Sequence, residues 1–120
     1  MHMKHIYSIV ILLFLVCLPS AGMDMSVDSL NLLKTQADSA YANEDFEGAE
    51  RIYLQLAEQG ESAVVCYNLG CTYYRQDNIA KAVLWFERAA QLDPSDDDIR
   101  FNIAMARGKT IDRIIPRHEM

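Results

Sequence analysis

The side chains whose chemistry could support catalysis or metal binding are few, and their spacing does not bring a reactive set together. His2 and His5 lie near the start of the chain, and His118 lies near its end. Residues 96–98 are three consecutive aspartates, as in some cation sites, but no further ligand follows at a suitable spacing. Catalysis requires a nucleophile, a base or a metal that converge on one point. The sequence therefore predicts no catalytic residue, no metal site, no cofactor and no enzymatic activity.

The cysteines do not form a disulfide framework. Cys66 and Cys71 lie in one segment of helical periodicity, and their spacing separates them by about 7.5 Å along a helix axis. They also point in different directions, so a bond between them would require the helix to break. Their spacing fits no zinc motif. We expect Cys66 to be a small apolar side chain of the core.

The charge of the chain disfavours nucleic acid as a partner. Among 120 residues, 11 are Lys or Arg and 17 are Asp or Glu, a net charge of −6. Lys4 is the one charged residue before residue 23, so the remainder carries 10 basic and 17 acidic residues, a net charge of −7. Such a domain repels a phosphate backbone, and it has no basic patch with interleaved aromatic residues. We therefore expect no nucleic-acid partner.

The start of the chain has the three parts of a secretory signal. Residues 1–5 are mildly basic, residues 6–18 form an apolar run, and small residues lead up to Gly22. The run is shorter than the ~20 residues of a spanning helix, so we expect cleavage after Gly22 and export to the periplasm or to the periplasmic side of the membrane. One alternative is an uncleaved anchor, the only case in which membrane contact is expected. Another is lipidation at Cys17, which the bulky Val16 disfavours.

From Leu30 onward, apolar residues recur at steps of three and four, the spacing of one face of an α-helix. Short breaks interrupt these stripes at residues 43–45, at Gly60, at residues 77–78 and at residues 93–94. No long segment alternates with the period of a strand. The sequence thus predicts an all-α fold.

A further helix is predicted after the last break. Ser95 can cap it, and the three aspartates that follow fill its first turn, where their charge opposes the helix dipole. Gly108 is expected to end it. This places a closing helix at residues 96–108 and a tail at residues 109–120.

The helical segments repeat with a period of about 34 residues, as in one class of helical-repeat proteins. Ala49 and Tyr53 of one segment recur in a later segment as Ala82 and Phe86. The sequence Tyr-Asn-Leu-Gly that begins at Tyr67 recurs as Phe-Asn-Ile-Ala, beginning at Phe101. Such a period, with paired helices, is typical of repeat proteins in which each hairpin stacks on a neighbour to bury its apolar face.

Residues 63–96 resemble the tetratricopeptide repeat (TPR) family. Seven positions carry that family's pattern at matching spacings: Leu69, Gly70, Tyr73, Ala82, Phe86, Ala89 and Pro94. Residues 30–62 match less well, because Gln36 and Glu61 depart from it. The resemblance implies a right-handed stack of two hairpins, residues 30–62 and 63–96, followed by the closing helix, in a domain that spans residues 23–108.

The order of export signal, two hairpins and closing helix is also similar to the TPR protein of aerotolerance (Bat-type) operons. That family continues beyond the closing helix, whereas this chain stops at Met120, so we expect a truncated member or a relative. The resemblance implies a protein partner in the bacterial cell envelope and a link to oxidative-stress tolerance.

In TPR stacks the first helix of each hairpin lines a concave groove that holds a partner polypeptide. The resemblance places these residues on that groove: Lys34, Asp38, Tyr41, Tyr67, Asn68, Cys71, Tyr74, Arg75, Phe101, Met105 and Lys109. Asn68 is expected to hydrogen-bond the backbone of a ligand. The alternative for Tyr67 and Phe101 is that they pack between repeats.

One subtype of TPR groove, which clamps a C-terminal carboxylate, is not expected here. Two of its basic or amide positions are occupied by Asp38 and Asp98, which would repel a carboxylate. We expect a groove for neutral, apolar or basic segments. The predicted function is a scaffold or adaptor for another protein or peptide segment, and the alternative is a small-molecule or lipid carrier that uses the aromatic groove.

Overall fold

The computed structural model describes residues 25–114, and in this range the chain is built from five α-helices. They are α1 (Val27–Ala42), α2 (Phe46–Gln59), α3 (Ala63–Arg75), α4 (Ile79–Leu92) and α5 (Asp97–Ile114). Residues 25–114 contain no strand, which confirms the predicted all-α class for them. The predicted export signal at residues 1–22 and the end of the tail lie outside the described residues. None of these five helices has the length and apolar character needed to cross a bilayer.

Each of the first four helices is preceded by a residue whose short polar side chain accepts a hydrogen bond from a backbone N–H of the first helical turn. Ser26 accepts a hydrogen bond from the backbone N–H of residue 29 at 3.3 Å, and Ser62 accepts one from that of residue 65 at 3.1 Å. Asp45 and Asn78 do the same for α2 and α4, at 3.0 and 3.4 Å. Such caps satisfy backbone donors that the first helical turn leaves free.

The two hairpins share one turn conformation. Glu44 joins α1 to α2 with a backbone φ of 62°, and Asp77 joins α3 to α4 with a φ of 64°. These left-handed residues occupy equivalent positions of the two hairpins, so the repeat visible in the sequence is also a repeat of backbone geometry. Asp tolerates this conformation better than most residues other than glycine, because its side chain can bond to nearby backbone.

Each helix packs mainly against its neighbours in sequence, α1 on α2, α2 on α3, α3 on α4 and α4 on α5. The core between them is apolar and includes Tyr53, Leu69, Tyr73, Phe86, Ile99 and Ala106. At the centre of the second hairpin, Gly70 has no side chain and the Phe86 ring fills the space: a Cβ at position 70 would lie 2.5 Å from Cε1 of that ring. The arrangement matches the predicted two hairpins and closing helix.

The closing helix differs from the prediction at both ends. Asp96 is its cap, since its Oδ1 accepts from the backbone N–H of Asp98 at 2.9 Å and of Ile99 at 3.3 Å, while Ser95 donates to Asp93 instead. The predicted cap at Ser95 is therefore wrong. The helix also continues through Gly108 to Ile114, so the predicted end at residue 108 and tail from residue 109 are wrong too. A single helical glycine costs only about 1 kcal/mol relative to alanine, and the basic residues beyond it are held by Asp77, as described below.

Asp96→Ala is expected to lower the free energy of unfolding by about 0.5–2 kcal/mol, because it removes the cap of α5. Ser95→Ala is the matched control and should change stability by less than about 0.5 kcal/mol, because Ser95 caps no helix. Urea denaturation followed by circular dichroism measures both. A larger loss for Ser95→Ala than for Asp96→Ala would return the cap to Ser95.

Candidate functional site

A pocket of about 410 Å³ opens between α1 and α3, on the side that the sequence predicts to be the groove. We call it the tyrosine pocket. Its lining residues are Asp38, Tyr41, Tyr53, Tyr67, Asn68 and Cys71. Five of the six are predicted groove residues, and the structure brings them together. The sixth, Tyr53, comes from α2 and was missed as a site residue.

Asp38 is the polar centre of the tyrosine pocket. Its Oδ2 accepts a hydrogen bond from Lys34 Nζ at 2.7 Å, and its Oδ1 accepts one from the Tyr53 hydroxyl. Burial alone would raise the pKa of Asp38, but these hydrogen bonds, together with the charge of Lys34, lower it below the ordinary value. Burial and the bond to Asp38 raise the pKa of Tyr53. At neutral pH the pair is therefore a carboxylate and a neutral phenol.

A second, smaller pocket of about 180 Å³ continues from the first toward α5. It shares Tyr41 and Cys71 with the tyrosine pocket, and its other lining residues are Tyr74, Arg75, Phe86, Asn102 and Met105. The two pockets form one surface across α1, α3 and α5, which we call the groove. Of the predicted residues, Tyr74, Arg75 and Met105 thus lie on it together with the five in the tyrosine pocket.

Tyr67 joins α3 to α5 and also packs in the core. Asn102 Nδ2 donates to the Tyr67 hydroxyl at 2.9 Å and to the backbone carbonyl of Asp98, also at 2.9 Å. The Tyr67 ring lies against Phe86, with 5.7 Å between centroids. Tyr67 therefore lines the groove, packs within the second hairpin and is hydrogen-bonded to α5. Asn102 was missed as a groove residue, although the sequence repeat gives it the position on α5 that Asn68 has on α3, a signal that could have found it.

The two bases at the edge of the groove already have partners in the chain. The Arg75 guanidinium lies 4.7 Å from the centroid of the Phe46 ring and 3.4 Å from the Glu44 carboxylate. The Lys109 ammonium lies 4.7 Å from the centroid of the Tyr74 ring and 3.8 Å from the Asp77 carboxylate, which Arg113 also contacts. In both repeats, the acid of the left-handed turn thus pairs with a base of the next first helix. These pairs connect one repeat to the next, but because they are exposed they contribute little to the free energy of unfolding.

Three of the eleven predicted groove residues, Phe101, Lys34 and Lys109, do not line the two pockets. Phe101 is 68% exposed on α5 and occupies the position that Tyr67 has on α3. Within residues 25–114 no helix follows α5, so Phe101 lacks the counterpart of Phe86. The alternative that Phe101 packs between repeats therefore does not hold within the described residues. Lys34 instead borders a neighbouring pocket with Leu30 and Val65, and reaches the tyrosine pocket through its bond to Asp38.

The two cysteines of the described residues are free thiols. Cys66 is buried, as expected, and Cys71 is half-buried in the groove. Burial raises the pKa of both thiols. Reactive cysteines have a lowered pKa, so neither thiol is activated as a nucleophile.

The helices, turns and ion pairs repeat along the chain, and a comparison of its sequence with known families finds a repeat family. Residues 63–96, which contain α3 and α4, match the family model of the tetratricopeptide repeat. These residues carry the pattern of one tetratricopeptide repeat. Over 85 residues it is also 32% identical to Intraflagellar transport protein 70A of Xenopus tropicalis and to the protein of the same name of Xenopus laevis.

These matches cover 70% of this chain and 13% of each relative, so the chain spans about one eighth of the length of the relatives it matches. The aligned 85 residues extend well beyond the single matched repeat. TPR repeats generally mediate protein–protein interaction and are generally non-enzymatic. The predicted TPR resemblance is confirmed for residues 63–96, and the narrower resemblance to the Bat-type protein stays a prediction.

Proposed function

We propose that this protein is a scaffold or adaptor that binds an extended or helical segment of a partner polypeptide in the groove. The observation that carries the proposal is the continuous surface formed by three TPR-type helices, α1, α3 and α5. Eight of the eleven residues predicted to line a partner groove lie on that surface. A groove that offers aromatic faces and a few polar groups suits main-chain and side-chain contacts with a peptide segment.

The chemistry of the groove favours neutral, apolar or basic segments over acidic ones. Its central charged group is the Asp38 carboxylate, and its two edge bases are engaged with Glu44 and Asp77. The Asn68 amide provides donors and an acceptor for a peptide backbone, and Asn102, whose two N–H donors are engaged, provides its carbonyl oxygen as an acceptor. The Asp38 carboxylate occupies a position that holds a base or an amide in carboxylate-clamp grooves. It would therefore repel an acidic C-terminal tail.

The proposal includes a location in the bacterial cell envelope. It is supported by the basic, apolar and small-residue order of residues 1–22. The resemblance to the Bat-type protein extends the proposal to a partner that acts in aerotolerance. Cell fractionation with N-terminal sequencing of the protein tests the location: a chain beginning at Met23 supports a cleaved signal, and a membrane-bound chain with residues 6–18 intact supports an anchor.

Cys71→Phe is expected to reduce partner capture at least about tenfold, because the added ring fills the junction of the two pockets. Leu84→Phe is the matched control, since it adds a ring at a half-exposed position of α4 outside the groove. The tagged full chain is incubated with envelope extracts, and bound molecules are identified by mass spectrometry. Circular dichroism establishes that both variants are folded.

A protein recovered by the wild type and by Leu84→Phe, but lost with Cys71→Phe, supports the proposal. Recovery of lipid alone would support the carrier alternative instead. Equal recovery of the protein by all three chains would place the binding surface outside the groove and contradict the proposal.

A further inference from the structure

We propose that the tyrosine pocket is a subsite for one cationic side chain of the partner, a lysine or an arginine, and that Lys34 occupies its anionic group when no partner is bound. This inference rests on the proposed function and specifies the chemistry of the bound segment. The groove as a whole suits neutral, apolar or basic segments, whereas we assign a basic side chain to the tyrosine pocket.

The charge of the tyrosine pocket is complementary to a cation. Asp38 is the one charged residue among the six that line it, and the other five are three tyrosines, Asn68 and Cys71. The Tyr53 hydroxyl donates to Asp38 Oδ1 and thereby fixes the direction of the carboxylate. A carboxylate bordered by phenol rings attracts an ammonium or guanidinium group both by its charge and by the ring faces.

The surroundings of the pocket add to this preference. Asp98 lies one helical turn before Asn102 on α5, close enough to Tyr67 for its charge to oppose ionisation of that phenol. Arg75 pairs with Glu44 and lies over the Phe46 ring, and its charge also acts on the Tyr41 phenol at the edge of the pocket. The chain also uses the same type of contact elsewhere: the cations of Arg88 and Lys109 lie 4.4 and 4.7 Å from the ring centroids of Trp85 and Tyr74.

Lys34 has the properties of a group that a ligand can displace. Its ammonium and the Asp38 carboxylate are one turn apart on the same helix, and their side chains are 45% and 43% exposed. Ion pairs of this type contribute little stability. Lys34 lies on the neighbouring pocket with Leu30 and Val65, where its aliphatic stem can stay when the ammonium leaves Asp38. A partner's cation can therefore exchange with Lys34 at small cost.

The test measures binding of three fluorescent pentapeptides to the full chain by fluorescence anisotropy at constant ionic strength. Their sequence is Leu-Ala-Xaa-Ala-Leu with blocked ends, and Xaa is lysine, norleucine or glutamate. We expect the lysine peptide to bind about two- to fivefold more tightly than the norleucine peptide, and the glutamate peptide to bind most weakly. Alkylation of Cys71 with iodoacetamide, read by peptide mass spectrometry, locates the peptide: binding in the tyrosine pocket slows it.

Two variants act in opposite directions. Asp38→Asn keeps the shape and removes the charge, so it should make the lysine and norleucine peptides bind equally. Lys34→Met removes the competing ammonium, so it should tighten binding of the lysine peptide about twofold. Asp112→Asn and Arg51→Met, at exposed positions outside the pocket, are the matched controls for the two changes of charge and should leave the preference as in the wild type.

Equal binding of the lysine and norleucine peptides to the wild type, with protection of Cys71 by both, would overturn the cationic subsite and leave the peptide-binding groove in place. The same holds if Asp38→Asn keeps the preference for lysine. If none of the peptides binds or protects Cys71, the subsite is overturned, and partner capture by the Cys71→Phe series then decides separately on the proposed function. Weaker binding of the lysine peptide to Lys34→Met would overturn the displacement by Lys34.

Discussion

Phe86→Ala is expected to lower the free energy of unfolding by about 3–5 kcal/mol, the largest single loss predicted for this chain. Phe86 is 1% exposed at the centre of the second hairpin, where its ring contacts Tyr67 and fills the space above Gly70. Its removal leaves a cavity that the rigid helices around it cannot close. Since a small domain has about 5–15 kcal/mol of stability in total, much of the fold's margin would be lost.

The matched control is Phe101→Ala, which removes the same atoms from a side chain that is 68% exposed. Its effect on unfolding should stay within about 0.5 kcal/mol. Urea denaturation monitored by circular dichroism gives both values. Comparable losses for the two variants would mean that Phe101 is buried in solution, and would contradict its exposure on α5.

The second large effect is expected at Gly70, where alanine should destabilise the fold by about 1–3 kcal/mol. A Cβ at this position would lie 2.5 Å from Cε1 and 2.8 Å from Cγ of the Phe86 ring. A buried aromatic ring cannot move aside cheaply, so α3 and α4 must separate. The loss is expected although alanine is the better helix former by about 1 kcal/mol.

Gly108→Ala separates helix propensity from packing. Gly108 lies inside α5, and a Cβ there meets no heavy atom within 4 Å. This variant should therefore stabilise the protein by about 0.5–1 kcal/mol, the opposite sign from Gly70→Ala. Thermal unfolding of the two variants side by side measures the difference. Stabilisation by Gly70→Ala would show that the close approach of α3 and α4 does not persist in solution.

Some features of the closing helix could not be predicted from its local sequence. Ser95 and Asp96 are both good caps, and which of them caps α5 depends on the backbone path after Pro94. Gly108 is a common end of a helix, but α5 continues through it, and beyond it Lys109 and Arg113 pair with Asp77 in the turn between α3 and α4. That contact joins residues far apart in the chain, so no local pattern reports it.

Only part of the candidate site could be predicted from the sequence, because some of its contacts also join residues far apart in the chain. The register of the TPR pattern places Asp38, Tyr41, Tyr67 and Cys71 on one side of the first helices, and the structure brings them together. The sequence repeat aligns Tyr53 with Phe86, and Tyr53 is 2% exposed, but its hydroxyl reaches Asp38. The signal was present: a buried tyrosine, where the next repeat has phenylalanine, needs a partner for its hydroxyl.

The sequence by itself determined the helices, their turns and the repeat that relates the two hairpins, because helical periodicity and capping are properties of neighbouring residues. Only the tertiary structure decided that the Tyr53 hydroxyl meets Asp38, and that Asn102 meets Tyr67. These partners are distant in the chain, and the distances between them depend on the angles at which the hairpins pack. The pocket and its single carboxylate are consequences of that packing, and so is the preference for a cationic side chain that we propose.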